Sequence, residues 1–390
     1  MYSVRTVALA SLTALAVLAT SSACQLAGSS GDTSDIVIAA DLELSGAQAP
    51  IGTAYDRALR LKVEQINLRG VLGKRKVRLE VKDNHSDPTL SLTNVARFAS
   101  NTEIKAIITG ACSSCAIGSA KTLNEKQKPA IALAPALEVA TPVADRRYLF
   151  KLGPNPIDGA AALAAEIKRS GLKTVGLLAT DDEYGRDGQF ALPRELSKAG
   201  VQITGQGVFK PTDTDLSQPM QKALAEQPDA LVFWTYPNQA GIAAVAARSA
   251  GFTGKLYLDG AAAGDLFLTG PAALATEQAT MISTQTMVID DVIATTPAKA
   301  ARRQWFRDYA SRYGGYYGYA SFAADALQLI VNAIEAVGGT NSDRLRDVLE
   351  NARLDGLSGP IRITPDNHSG LMPQALAVLV ARGGRWRLVS

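Results

Sequence analysis

The chain has 390 residues, 47% of them apolar, with 40 basic and 37 acidic side chains. That length and composition suit a globular protein with two sizeable cores. A net charge of +3, without any basic run interleaved by aromatics, argues against a nucleic-acid surface. The only histidines, His85 and His368, leave little material for a histidine-built metal centre.

The N-terminal stretch reads as an export signal over residues 1–23. Arg5 precedes an apolar run from Val7 to Ala19, and the small residues Thr20, Ser21, Ser22 and Ala23 follow. The run falls short of the ~20 residues a spanning helix needs. Cys24 comes next, so the segment resembles that of bacterial lipoproteins, in which the first cysteine of the mature chain carries a diacylglyceryl group. Ser21 stands where that motif usually has Leu, Val or Ile, and an ordinary cleaved signal is the alternative. Residues 24–34 are small, polar and flexible, which suits a tether. If Cys24 is acylated, Cys112 and Cys115 remain as an even pair in an oxidising compartment.

Strands and helices then alternate. Ile36 to Ala40 reads as a buried strand, and Tyr55, Leu59, Val63 and Ile66 recur at helical spacing up to Gly70. Val77, Leu79 and Val81 alternate with charged residues as in a strand, and a helix follows over 90–100 with Pro88 at its start. A strand at 106–108, a helix over 116–127 and a strand at 130–133 complete the first lobe. The pattern restarts at Pro156 with helices over 157–169, 187–199, 216–226 and 239–250, the second interrupted by Pro193. Strands fall at 174–178, 201–209, 230–234 and 256–258. Helices over 298–313, 321–337 and 343–351 precede strand-like pieces at 360–363, 375–380 and 386–389. Such alternation predicts an α/β protein with two Rossmann-like lobes, each a parallel sheet covered by helices. Ligands of open parallel sheets bind beyond the carboxyl ends of the strands, and lobe interfaces favour small-molecule sites.

The stretches after those strands carry a specific resemblance. Leu44-Ser45-Gly46, Gly52, Glu64-Gln65-Ile66-Asn67, Gly70 to Gly73, Val81-Lys82-Asp83 and Ser86-Asp87-Pro88 come first. Asp182-Glu183-Tyr184-Gly185, Gly251-Phe252 and Leu354-Asp355-Gly356-Leu357-Ser358-Gly359-Pro360 follow. In this order and spacing, the mature chain resembles the type I periplasmic binding proteins of branched-chain amino acid importers. The resemblance implies a hinged clamp with three crossovers, its first lobe built from 35–151 plus 283–355 and its second from 152–282 plus 356–390. It implies a monomer that needs no cofactor or metal and performs no catalysis. It also implies a small-molecule ligand, typically a branched-chain or related amino acid, and delivery to a membrane permease with its ATPase. The location would be outside the cytoplasm, held to the membrane by lipid.

Site roles follow residue by residue from the same resemblance. Ser113 and Ser114 match a hydroxyl-rich loop that meets a ligand carboxylate; a loop entering a helix also offers free N–H groups, though both serines could simply cap that helix. Asp259 matches a carboxylate facing a ligand ammonium, with a plain turn before Gly260 as the alternative. Tyr184, Tyr236 and Tyr319 match aromatics that wall the cleft. One stretch departs from the family: Ala134-Pro135-Ala136-Leu137-Glu138 replaces a small residue followed by Thr or Ser. If Glu138 faces the cleft beside Ala136, the site prefers a cation or a donor-rich neutral ligand such as an amide, a urea-like compound or a polyol. If it faces water, it is a carboxylate at a helix start. Cys112 and Cys115 are expected as a local disulfide pinning the ligand loop, with free thiols or redox chemistry as alternatives. The same fold also serves ligand-sensing receptors.

Overall fold

The computed structural model describes residues 34–389, apart from 265–267 and 269. The expected signal, Cys24 and all but the last residue of the tether therefore lie outside the described residues.

The first lobe is built from β1 (Ile36–Leu42), α1 (Ala49–Arg69), β2 (Val77–Asp83), α2 (Pro88–Ser100), β3 (Ile104–Thr109), α3 (Ser113–Glu125), β4 (Ala130–Ala132) and β5 (Leu149–Lys151). These strands form a parallel sheet in the order β2-β1-β3-β4-β5. Helices cover both faces, so all of β1 is buried and its sequence is an unbroken apolar run up to Asp41. β2 at the edge is half-exposed beyond Val77, which is why charged residues alternate along it. α1 stops at Gly70, whose φ of 63° is left-handed and costs glycine nothing. α2 starts where the Asp87 carboxylate accepts bonds from the Thr89 and Leu90 amides.

The second lobe begins with α4 (Pro156–Arg169), β6 (Thr174–Thr180), α5 (Glu183–Ala199), β7 (Gln202–Phe209), α6 (Ser217–Ala223), β8 (Ala230–Trp234), α7 (Pro237–Ser249), β9 (Lys255–Leu258), α8 (Ala273–Thr276) and β10 (Thr280–Thr284). α5 starts four residues before the expected position, because Asp182 caps it by accepting from the Gly185 amide at 2.8 Å. It then runs unbroken through Pro193. Where it crosses β8, a Cβ on Gly188 would lie 2.4 Å from the Trp234 indole, so only glycine permits this approach. Trp234 is fully buried there; an aromatic so placed contributes roughly 2–3 kcal/mol through area removed from water.

The chain then returns to the first lobe with α9 (Pro297–Tyr313), α10 (Ala320–Val337) and α11 (Ser342–Leu349). α10 packs against α1 and touches β3. α9 is tied to α1 by the Tyr309 hydroxyl on the Ala54 carbonyl at 3.3 Å and by an Arg312–Glu64 ion pair. The hairpin of β11 (Arg353–Asp355) and β12 (Pro360–Arg362) follows. Its turn is fixed by the buried Asp325 carboxylate, which accepts from the Leu357 and Ser358 amides at 2.7 Å each. Finally β13 (Leu376–Arg382) and β14 (Arg385–Leu388) join the second sheet, whose order is β14-β13-β10-β9-β8-β6-β7. β6 to β10 run parallel, and the last two strands are antiparallel.

The expected second-lobe piece 356–390 is divided between the sheets. Residues 368–370 lie along β5: Lys151 N donates to the His368 carbonyl at 2.9 Å, and Gly370 N to the Lys151 carbonyl at 2.8 Å. The buried His368 ring rests on Phe150, with centroids 4.4 Å apart. Only from β13 onward does the chain belong to the second sheet.

Candidate functional site

The carboxyl ends of the two sheets face each other. On the first lobe, β1 leads directly into Glu43, which is completely buried. Its two oxygens accept from the Ala111 amide at 2.9 Å, the Cys112 amide at 3.1 Å and the Asn84 side chain at 3.3 Å. Those backbone amides lie just ahead of α3. A Cβ on the preceding Gly110 would lie 2.1 Å from the Glu43 carboxylate, so the glycine lets that carboxylate sit against the loop. The Asn84 amide also reaches Asp41, which Ser91 and Asn94 hold as well. Burial outweighs these bonds and pushes the Glu43 carboxyl up to about 7.

Cys112 and Cys115 form a disulfide with Cα atoms 5.2 Å apart. Their sulfurs and a Glu43 oxygen lie within 4.8 Å of one another. Sulfurs joined to each other are not thiolates, and thiolates are the form that binds metals. Ser113 is buried, and its hydroxyl accepts from the Ala136 amide at 3.2 Å, tying the loop after β3 to the loop after β4. Ser114 is half-buried, its hydroxyl 3.5 Å from the Cys112 sulfur.

Glu138 does not face the cleft. It sits in a short 3-10 turn, Leu137–Val139, that carries its side chain into solvent, 3.6 Å from Arg146. The carboxylate that reaches this loop is Asp187 of α5, which accepts from the Leu137 amide at 2.7 Å and so bridges the two lobes.

On the second lobe, Asp259 follows β9 and is also fully buried. It accepts from the Thr235 amide at 2.9 Å, the Ala261 amide at 2.7 Å and the Tyr184 hydroxyl. Burial again dominates and raises its carboxyl to about 7. The Tyr236 hydroxyl donates to Asp182 at 2.9 Å, and the Tyr184 and Tyr236 rings lie 6.0 Å apart. Tyr319, at the start of α10, stacks edge-on to Tyr55 and donates its hydroxyl to the Ala261 carbonyl, a second bond across the lobes.

These groups surround a chain of spaces between the lobes. An inner cavity of about 10 Å³ has room for one water. Ile51, Tyr55, Ala111, Leu133 and Pro135 of the first lobe meet Pro154, Tyr236 and Ala261 there, with Tyr319 beside them. Through Ile51 and Tyr236 it adjoins a neck that includes Gln48, whose buried Oε1 has no partner. The neck leads past Ala47 and Pro237 to a groove of about 670 Å³ walled by Pro211, Ile242, Val245 and Pro271 among others. Of the expected site residues, Tyr236 and Tyr319 line the inner cavity. Tyr184 and Asp259 stand behind its wall; Ser113, Ser114, Ala136 and Glu138 are not among the lining residues.

Two buried groups escaped the sequence reading. Glu43 carried a faint signal, an acid among apolar residues at the end of the first strand. Lys151 carried none. Its ammonium is wholly buried, held by the Pro135, Ala136 and Pro154 carbonyls at 2.5, 3.4 and 3.5 Å, and burial lowers its pKa to about 7.

A two-lobed α/β clamp whose sheets converge on one interlobe space is the architecture of a type I periplasmic binding protein. The chain belongs to the periplasmic binding protein family, whose pattern matches residues 35–385. Among solved structures it is similar to an extracellular ligand-binding receptor from Rhodopseudomonas palustris, with a TM-score of 0.84 at 23% identity, covering 92% of this chain and 100% of that one. The leucine binding protein LivK of Thermotoga maritima MSB8 gives 0.79 at 20% identity over 91% and 98% of the two chains. LivJ of Streptococcus pneumoniae, a branched-chain amino acid transporter substrate binding protein solved with isoleucine, gives 0.77 at 20% identity over 91% and 99%. At these identities the likeness establishes the shared fold.

Proposed function

We propose that this chain is an extracytoplasmic substrate-binding lipoprotein of an ATP-driven importer. It captures a small polar metabolite between its lobes and delivers it to a membrane permease, as a monomer and without catalysis. The observation that carries the reading is the interlobe space itself, walled by both sheets and bridged by Tyr319–Ala261 and Asp187–Leu137. An inner cavity of about 10 Å³ must widen to admit a metabolite, so binding works through lobe movement. A ligand shifts that movement only by contacts that differ between the open and closed forms. Acylation at Cys24 would keep the clamp near its permease and raise the effective concentration there. LivK and LivJ, named for leucine binding and branched-chain amino acid transport, support import. The relative named as a ligand-binding receptor supports a second reading, ligand sensing through a separate partner.

The test is a melting-temperature screen of amino acids, amides, urea-like compounds, polyols and amines, with small-angle scattering on any hit. A ligand that stabilises and compacts the protein supports the reading. Absence of any hit across these classes argues against it.

A further inference from the structure

The hydrogen-bond donors around the inner cavity are engaged within the protein. The Ala111 and Cys112 amides donate to Glu43. The Ala261 amide and the Tyr184 hydroxyl donate to Asp259. The Tyr236 hydroxyl serves Asp182, that of Tyr319 the Ala261 carbonyl, and that of Tyr55 the Leu133 carbonyl. No Lys or Arg is among the described residues lining the cavity, neck or groove. Lys151, behind Pro135 and Pro154, is held by three backbone carbonyls. Gln48 adds a buried acceptor in the neck, its Oε1 without a partner.

We propose that Glu43 sets the ligand class of this cleft: by filling the Ala111 and Cys112 amides with the protein's own carboxylate, it excludes a ligand carboxylate and selects a ligand whose buried end is an amine. The proposal rests on the ligand-binding reading above. A ligand carboxylate at the Ala111–Cys112 turn would find both amides taken and would lie against the Glu43 carboxyl oxygens. Burying an anion without donors is among the costliest steps in binding. An ammonium gains from the same features. Glu43 and Asp259 stand behind opposite walls, and Tyr55, Tyr236 and Tyr319 line the space between them, where tyrosine faces attract a cation. Gln48 Oε1 offers a further acceptor for an N–H on the ligand. The arrangement is built into the fold, because Gly110 leaves Glu43 the room a Cβ would take.

The test uses pairs that differ only in the carboxylate: leucine and 3-methylbutylamine, phenylalanine and phenethylamine, lysine and cadaverine, with xylitol and acetamide as neutral probes. Melting shifts and titration calorimetry on the full mature chain measure binding. In at least one pair the amine should bind at least about tenfold more tightly than the amino acid. Glu43→Ala, which vacates the amides, should narrow that gap by about tenfold or more, and Glu43→Gln, nearly the same shape, provides the reading if the alanine variant does not fold. The proposal is overturned if an amino acid matches its amine, if no amine binds, or if the gap survives both substitutions. Binding of xylitol or acetamide alone would overturn it and leave the binding-protein reading standing. Silence from every probe would count against both.

Discussion

Replacing Glu43 with Gln should flatten part of the pH dependence of stability. Burial holds this carboxyl up at about 7, against an ordinary value of 4.5. The groups packed around it are Asp41 on its own strand, Asn84 after β2, Tyr55 of α1 and the Ala111–Cys112 loop; Asp41 adds to the upward push, and the three hydrogen bonds oppose it. A carboxyl with a higher pKa folded than unfolded binds its proton more tightly in the native state. Its contribution to stability is therefore complete below the unfolded value and is lost as pH rises through the folded one. Each pH unit in that window removes up to about 1.4 kcal/mol, so the interval is worth on the order of 3 kcal/mol. Asp259, raised from 3.8 to about 7, acts in the same direction over nearly the same range. Lys151, lowered from 10.5 to about 7, instead adds stability as pH rises above its folded value. Urea melts of both proteins at about pH 5, 6 and 7 isolate the Glu43 part, since the variant lacks only this titration. The loss of stability between the two ends should be smaller in the variant by about 2–3 kcal/mol. Parallel profiles would mean that Glu43 titrates alike in the folded and unfolded chain and that its burial leaves its proton affinity unchanged.

Three further outcomes follow from particular bonds. Asp187→Ala removes the acceptor of the Leu137 amide, a contact worth about 1–3 kcal/mol where one partner is charged; scattering should show a more open ligand-free protein, and an unchanged radius of gyration would deny the bridge a role. Tyr319→Phe leaves the Ala261 carbonyl unpaired, so ligand dissociation should quicken by roughly five- to tenfold, as a buried bond of about 1 kcal/mol predicts; an unaltered rate would show that this hydroxyl does not hold the lobes. Replacing both Cys112 and Cys115 with Ser opens a short covalent loop and should cost about 2 kcal/mol on chain entropy, read as a lower urea midpoint; an equal midpoint would mean that the cross-link constrains little.

The lobes were legible because the longer helices and most strands carry their own periodicity, while the four-residue α8 carries none. The run Tyr55, Leu59, Val63, Ile66 and the stop at Gly70 are local signals, and α1 matches them. β5, with three residues, and β10, reading Thr-Met-Ile-Ser-Thr, are too short to show a period, so the sheet rather than the segment makes them strands. Tyr236 and Asp259 lie just after readable strands, whereas Tyr319 was named through the family resemblance alone. Glu43 and Lys151 were not found, because charged residues ordinarily lie in water. What buries Glu43 is a loop 68 residues further along the chain, and no pattern around Glu43 announces it. Glu138 is the converse case: a single 3-10 turn decides which way it points, and side-chain direction at such a turn has no signature in the sequence.

Binding of a small molecule between the lobes should largely disappear when the aromatic walls of the inner cavity are removed. The protein is melted against the small-molecule panel, alongside a variant carrying Tyr236→Ala and Tyr319→Ala. A compound at 100 times its Kd should add about 2.7 kcal/mol to the stability of the unaltered protein, and the double variant should lose most of that gain. A compound that stabilises both proteins equally, or a panel that stabilises neither, would mean that no ligand binds between the lobes.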